Sequence, residues 1–588
     1  MKVKKISERT AKFKKSLADF YNALFFARDI SGISSSRFRA FLGGRVMKLV
    51  GAIIKFISST SSRFFGLALV FFGGASLIMH LAKYYLGAVS SISISTAVVS
   101  GVIMLLAVPF LISKQPIGIV FEKNKITDFI LFEFFAFNRM RKNSTVKTLH
   151  PAFGLLLGLI PTVFAYFFPL RYVVLVIVAI LFLSVSLISP EFPILSSLLL
   201  LPYLDVIPYS GELLAIISII AFVSFSRKVL VGKRVYSLEL SGVVLLVFAV
   251  LITVLAFVDG SPLSEKNALI LASLILAYIP LSNMIVNRRL AICAVNAIVI
   301  SMIPIAIGAI IDYLVAIFKG AHAPADFLFS SSECLAAFLM IAALFTAFFV
   351  VERSQHSVKA LYTVLLGIYV AAIITTECVP AILALLLIFP AYIVIRSLSI
   401  PRELLLILAF LPMGIFFLSD AILTRISSFF FAMPDLVKMK AELYESLLLF
   451  RDNIFLGIGA DSVTADGVGY GGNSISWLLC NFGVFAAALL LIVFLIRMRQ
   501  FTVFSIYRSS SNVSNFISMG NLAAFVLVVF GMFYNVFADV GIFYLFISAI
   551  GVSSAAIRIS KREHDDRLGY YGDQRSIDSS AVDVLLRH

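Results

Sequence analysis

Apolar residues in this chain come in long runs rather than in alternation. From Phe64 to Ala556, stretch after stretch is nearly free of charge and ends in Lys and Arg or in a turn-forming group. The runs lie near 64–82, 92–113, 151–169, 171–189, 191–208, 211–226, 238–257, 266–286, 291–316, 333–351, 358–374, 379–395, 403–419, 475–496, 520–536 and 540–557. Their lengths match the ~20 residues that an α-helix needs to cross the hydrocarbon core of a bilayer. The pattern predicts an all-α, polytopic integral membrane protein with about 16 transmembrane helices.

The placement of Lys and Arg tests that reading independently. The connection 114–150 holds Lys114, Lys123, Lys125, Arg139, Arg141, Lys142 and Lys147, and later basic groups stand at Arg227 and Lys228, Arg288 and Arg289, Arg396 and Arg402, and Arg497 and Arg499. Every second connection is basic, so those face the cytoplasm and the alternate ones face outward. The outward turn Val258-Asp259-Gly260-Ser261-Pro262 is acidic instead. Both termini are expected in the cytoplasm, and no cleavable signal peptide precedes the first run.

Composition narrows the function classes. Of 588 residues, 61% are hydrophobic and 14% charged, against about a quarter charged in soluble proteins. A soluble enzyme, a disordered protein and a disulfide scaffold are excluded. The four cysteines, Cys293, Cys334, Cys378 and Cys480, are scattered without metal-ligand spacing. Residues 1–63 carry 14 basic and three acidic side chains. This arm is interleaved with apolar residues and leads straight into a span, which suits anionic membrane lipids rather than nucleic acid. Within it, residues 35–58 read as an interfacial helix. The chain thus divides into a basic cytoplasmic region 1–63, a hairpin with its basic loop 64–150, a transmembrane body 151–557 and a cytoplasmic tail 558–588.

One outward connection is long. Residues 420–474 contain Arg425, Lys438, Lys440, Arg451, Asp461 and Asp466, an amphipathic helix expected over 434–451, and the glycine-dense stretches Gly457-Ile458-Gly459 and Gly467-Val468-Gly469-Tyr470-Gly471-Gly472. A loop of this length inside a bundle usually carries function. It is no nucleotide-binding loop, because it lacks a GK[ST] sequence and faces away from the cytoplasm.

The string Phe450-Arg451-Asp452-Asn453-Ile454-Phe455-Leu456-Gly457-Ile458-Gly459 is followed by Gly472-Asn473-Ser474-Ile475 and Asn481-Phe482-Gly483-Val484-Phe485. Together with Tyr534-Asn535-Val536-Phe537-Ala538-Asp539 in the closing hairpin, it resembles the signature of the bacterial O-antigen ligase-like family over roughly 150–557, some 14 spans, with the first hairpin as an addition. The resemblance implies a metal- and cofactor-independent membrane glycosyltransferase of the ligase or polymerase type in the bacterial cytoplasmic membrane. Its donor would be a glycan on undecaprenyl diphosphate at the outer face, its acceptor a hydroxyl of another glycan or lipid, and its partners other polysaccharide-assembly proteins. A leaving diphosphate calls for cations, best supplied as Arg forks, and an acceptor hydroxyl calls for a base or orienting group.

The sequence departs from the family at two catalytic-type positions. Val379 stands where the family has Arg, and Gly472 where it has His; Ile454 replaces a proline. The remaining candidates are Arg425, Lys438, Lys440 and Arg451 for the diphosphate, Asn473 to orient the acceptor, and Glu377 or Asp461 as base. Each has an ordinary alternative: a headgroup contact for the cations, a helix N-cap for Asn473, a solvated span end for Glu377. His322 reads as simply exposed. Two further functions stay open, an inactive relative that scaffolds polysaccharide assembly and a lipid-linked glycan transporter or flippase.

Overall fold

The computed structural model describes residues 25–28, 45–86, 93–135, 150, 152–231, 234–259, 261–285, 288–320, 324–352, 355–378, 380–381, 419–429, 436–459, 473–506 and 513–567. The described chain is almost entirely helical. Eleven helices among the described residues are long and apolar enough to cross a membrane, and Phe153–Phe167 and Met519–Gly531 are shorter apolar helices. The protein is an all-α, multi-pass membrane protein. The expected spans 379–395 and 403–419 lie almost wholly outside the described residues.

The chain forms two compact units, residues 31–193 and residues 1–30 with 194–588. The first contains α1 (Arg45–Ser59), α2 (Ser62–Tyr85), α3 (Ile94–Ile112), α4 (Phe153–Phe167) and α5 (Leu170–Ile188). Thus the predicted hairpin 64–82/92–113 is present, and its unit takes in the next two helices as well. Gly154 and Gly158, one turn apart, let α4 lie directly on the backbone of Phe64 and Ala68, the small-residue packing typical of helices in lipid. Phe72, Ile103, Leu170 and Val173 form the local core. Most of α5 instead exposes apolar side chains, as a lipid-facing helix does.

The second unit contains α6 (Glu191–Leu200), α7 (Ser210–Leu230), α8 (Leu240–Asp259), α9 (Pro262–Leu276), α10 (Tyr278–Met284), α11 (Arg288–Phe318), α12 (Ser332–Glu352) and α13 (His356–Thr375). It continues with α14 (Asp420–Phe429), α15 (Leu436–Asp452), α16 (Ser474–Ile506), α17 (Val513–Gly531) and α18 (Val540–Arg567). Strand β1 (Phe25–Arg28) pairs antiparallel with β2 (Tyr236–Glu239). The spans of α12 and α18 are almost wholly enclosed by other helices. The last helix runs past the expected end at 557 to Arg567.

Hydrogen bonds sort the helix ends of this unit into two sets. One set joins Ser330 to Asp205 (2.7 Å), Ala325 to Thr375 (3.0 Å) and Ser474 to Tyr534 (3.0 Å). The alternation of basic loops assigns all of these to the outward side. The other set gathers Glu239, Asn283, Arg497 and Arg558, all assigned inward.

At that inward set lies an ion pair between Arg497, 2% exposed, and Glu239, 3% exposed, with Nη2 3.1 Å from Oε2. The guanidinium also donates to Gln500 Oε1 (2.9 Å), Tyr278 OH (3.2 Å), Ser554 Oγ (2.5 Å) and Ser241 Oγ. The carboxylate accepts from Ser554 (2.7 Å) and Gln500. One turn away, Arg558 binds the side-chain and main-chain oxygens of Asn283 and the carbonyl of Ile285, while Asn283 exchanges two bonds with Ser237. Four helices, α8, α10, α16 and α18, are thereby tied at one end. Removing one member of a buried pair strands the other charge, at a cost of about 3–5 kcal/mol, whereas replacing both with apolar groups is close to neutral. Arg497→Met should therefore lower the thermal midpoint of the detergent-purified protein sharply, and Arg497→Met combined with Glu239→Met should recover most of the loss. Equal midpoints for the single and double variants would show that the pair is not what holds these helices.

Candidate functional site

The two halves of the sequence signature, Arg451–Gly459 and Asn473–Phe485, fold against each other. Helix α15 packs along the outer part of α16, with Cys480 Sγ 2.9 Å from the carbonyl of Ser446. The chain then turns through Asn453–Leu456 and crosses α16. In an unbroken helix the carbonyl of Cys480 would accept from Val484, and that of Asn481 from Phe485. Here α16 breaks at Gly483 (φ 72°, ψ −177°). Ile458 and Gly459 donate to the carbonyls of Cys480 (2.7 Å) and Asn481 (3.0 Å), and Val484 donates to the carbonyl of Ile454 (2.9 Å). The crossing segment thus supplies the hydrogen bonds that the break removes, as backbone within a bilayer requires.

The glycines are needed for this. Gly457 (φ 69°) and Gly483 occupy the left-handed region. A Cβ on Gly457 would sit 2.4 Å from the Asn481 carbonyl, and one on Gly483 would sit 2.2 Å from the Phe455 carbonyl. Beside the crossing, Phe455 and Phe485 stack with centroids 5.8 Å apart, both largely exposed. The Asn481 side chain is fully buried, and neither of its amide atoms has a partner among the described residues.

Asn473 opens the outer half of α16. Its Oδ1 accepts from Ile475 (3.1 Å) and Ser476 (2.8 Å), which is N-cap geometry, and the residue is buried. The ordinary role considered for Asn473 is the one its contacts show. The neighbouring Ser474 donates to the Tyr534 carbonyl and accepts from the Phe537 amide (3.0 Å). The Tyr534 hydroxyl in turn bonds Cys378, next in sequence to Glu377. Glu377 and Asn473 are therefore carried to the same end of the bundle. Arg451 follows Phe450, whose backbone bonds Cys480, seven residues and so about 10 Å further along the half-helix. Burial pushes the Cys378 thiol up to about 12, which keeps it protonated and inert.

Glu377 has φ +52° and is the residue after the cap of α13. Helices usually place glycine there, because a side chain in the left-handed region costs roughly 1 kcal/mol. The Tyr313 hydroxyl donates to Glu377 Oε1 at 3.0 Å. Lys440 forms an ion pair with Asp420 at 2.8 Å, tying α14 to α15. Arg425 and Arg451 are exposed. Lys438 falls within α15, with its side chain outside the described residues. Asp461, His322, Val379 and Gly472 lie outside them altogether.

Helices α14 and α15 carry Arg425, Lys438, Lys440 and Arg451 interleaved with Asp420, Glu442, Glu445 and Asp452, and the helix ends around Tyr534 gather further carboxylates. Glu333 acts electrostatically on Cys378 and Tyr534, and Asp205 on Asp539. Asp539 caps α18 through the Ile542 amide (2.8 Å). Loss of water around it, with Asp205 adding to the effect, pushes its carboxyl up to about 6. Sequence reasoning missed Tyr313, Asn481 and the Asp205–Asp539 pair. An asparagine inside an apolar run was the available signal for Asn481; a tyrosine near a span end carries none.

Compared with known proteins, the chain matches no family model and no curated protein sequence.

Ala in place of Gly457 or Gly483 should destabilise the fold strongly, because backbone must move. Gly367→Ala, in open space within α13, should instead stabilise by up to about 1 kcal/mol; thermal unfolding of the three variants checks the contrast. Asp539 gives a pH test. Its folded pKa lies above the unfolded value, so its charged form destabilises the fold; that penalty is absent below about pH 4, builds between about 4 and 6, and levels off above that. Asp539→Asn keeps the cap and removes the charge. Its midpoint relative to wild type should therefore rise between pH 5 and pH 7.5, and a pH-independent difference would contradict the assignment.

Proposed function

We propose that this protein is a membrane glycan transferase of the O-antigen ligase or polymerase type. It would act on a polyprenyl-diphosphate-linked glycan at the outer face of a bacterial cytoplasmic membrane. The observation that carries the reading is the surface around Arg451. Arg451, exposed at the end of α15, is followed within five residues by exposed Ile454 (41%), Phe455 (61%) and Leu456 (52%), with Phe485 (54%) stacked on Phe455 and Tyr444 (64%) earlier on the same helix. Fixed positive charge next to a patch of apolar side chains suits a ligand whose diphosphate adjoins a hydrocarbon tail. Arg425 on α14 adds a second cation, whereas Lys440 is paired with Asp420. Glu377 adds a carboxylate at the same end of the bundle, suited to accepting the proton of an acceptor hydroxyl.

One observation favours a second reading, a lipid-linked glycan transporter. Discontinuous helices with unpartnered polar groups line transport sites, and α16 is broken beside the unpartnered Asn481. An inactive scaffold is the third.

Alanine at Arg451 and at Arg425 should each reduce surface polysaccharide lengthening by about 10- to 100-fold, the worth of one charge-assisted hydrogen bond to phosphate, with folded protein retained. Unchanged chain-length distributions in both variants would favour the scaffold. Movement of glycan lipid between leaflets of proteoliposomes without a new glycosidic bond would favour the transporter.

A further inference from the structure

We infer that Tyr313 is the positioning residue for Glu377 and that the two act together as the proton-accepting pair for the acceptor hydroxyl; this rests on the glycan-transferase reading. Helix α13 ends in Thr376, and its next residue adopts φ +52°, with the Glu377 amide bonded to the Ile374 carbonyl at 3.1 Å. That turn needs no side chain, and glycine would make it without strain. Glutamate is held there nonetheless. Strained positions of this kind persist where the surroundings fix them, and they gather at functional sites.

Here the surroundings do fix it, on three sides. The Thr375 carbonyl, two residues back, accepts from the Ala325 amide at 3.0 Å, so the loop before α12 clamps the helix end. Thr376 folds its hydroxyl onto the Ile373 carbonyl (2.7 Å) and accepts from the Cys378 amide (3.4 Å). Tyr313, from α11, donates to Oε1 at 3.0 Å. That bond occupies one carboxylate oxygen and leaves Oε2 for a second donor, and Glu377 retains solvent contact. Around the pair, Ile311, Leu314 and Ile374 are exposed, so a hydroxyl carried on a membrane-anchored acceptor reaches it from the edge of the bilayer.

In the step, the Glu377 carboxylate takes the proton of the acceptor hydroxyl as that oxygen bonds to the anomeric carbon of the donor. The bond from that carbon to the diphosphate oxygen breaks, its electron pair stays on the leaving diphosphate, and the proton passes from Glu377 to water. Tyr313 does not touch the reacting atoms. It fixes the rotamer of the carboxylate that does.

The test is a double-mutant cycle on the purified full-length protein in proteoliposomes, with polyprenyl-diphosphate-linked glycan as donor and new glycosidic bonds as readout. Tyr313→Phe should lower kcat by about 10-fold, the worth of one hydrogen bond, while the KM for the donor and the thermal midpoint stay put. In a Glu377→Gln background the same change should have no further effect, because a residue that acts only through Glu377 has nothing left to position. Glu377→Gly should fold normally, since glycine suits that turn, and lose transfer. If the wild type makes bonds and the two losses multiply instead, the positioning role is overturned and the transferase reading stands. If Glu377→Gly retains full transfer, the pair is not the proton acceptor. If the wild type makes no bond, the transferase reading fails and this inference falls with it.

Discussion

A guanidinium and a carboxylate enclosed between membrane helices have no water to fall back on. Each must find all its partners in the protein or leave the fold with an uncompensated charge. Arg497 and Glu239 find most of theirs in each other, Gln500, Ser241, Tyr278 and Ser554, drawn from four helices and the end of a short strand, although the Arg497 Nε has none among the described residues. Apolar packing cannot select one register among helices that are greasy on every face, because lipid offers the same contacts. A polar network with a fixed set of donors and acceptors does select one. The linked ends of α8, α10, α16 and α18 are set by it, and the candidate site lies toward the other end of α16.

What the sequence could reveal follows from that division. Runs of apolar residues are local, so the expected span 171–189 and the helix Leu170–Ile188 agree almost to the residue. The amphipathic helix expected over 434–451 appears as Leu436–Asp452 for the same reason. The break at Gly483 was not legible. A glycine inside an apolar run reads as a tolerated helix residue, and only the approach of Gly457, some 25 positions earlier, shows why it is needed. Glu377 was legible as a carboxylate at a span end, but its backbone conformation and its tie to Tyr313, 64 residues away, belong to the tertiary fold.

The site also shows how a sequence list can mix unlike roles. Asn473, considered for substrate, caps α16 with its Oδ1. Lys440 is engaged with Asp420 across two short helices. On α14 and α15 the candidate cations alternate with Asp420, Glu442, Glu445 and Asp452, so neither helix presents charge of one sign.

The interruption of α16 has a mechanical consequence. Its half beyond Gly483 is anchored by Arg497 and Gln500, whereas the half before it answers to the strap 454–459 and to α15. At the kink the carbonyls of Cys480 and Asn481 bond the strap instead of the next turn, so the two halves of one helix take their positions from different partners.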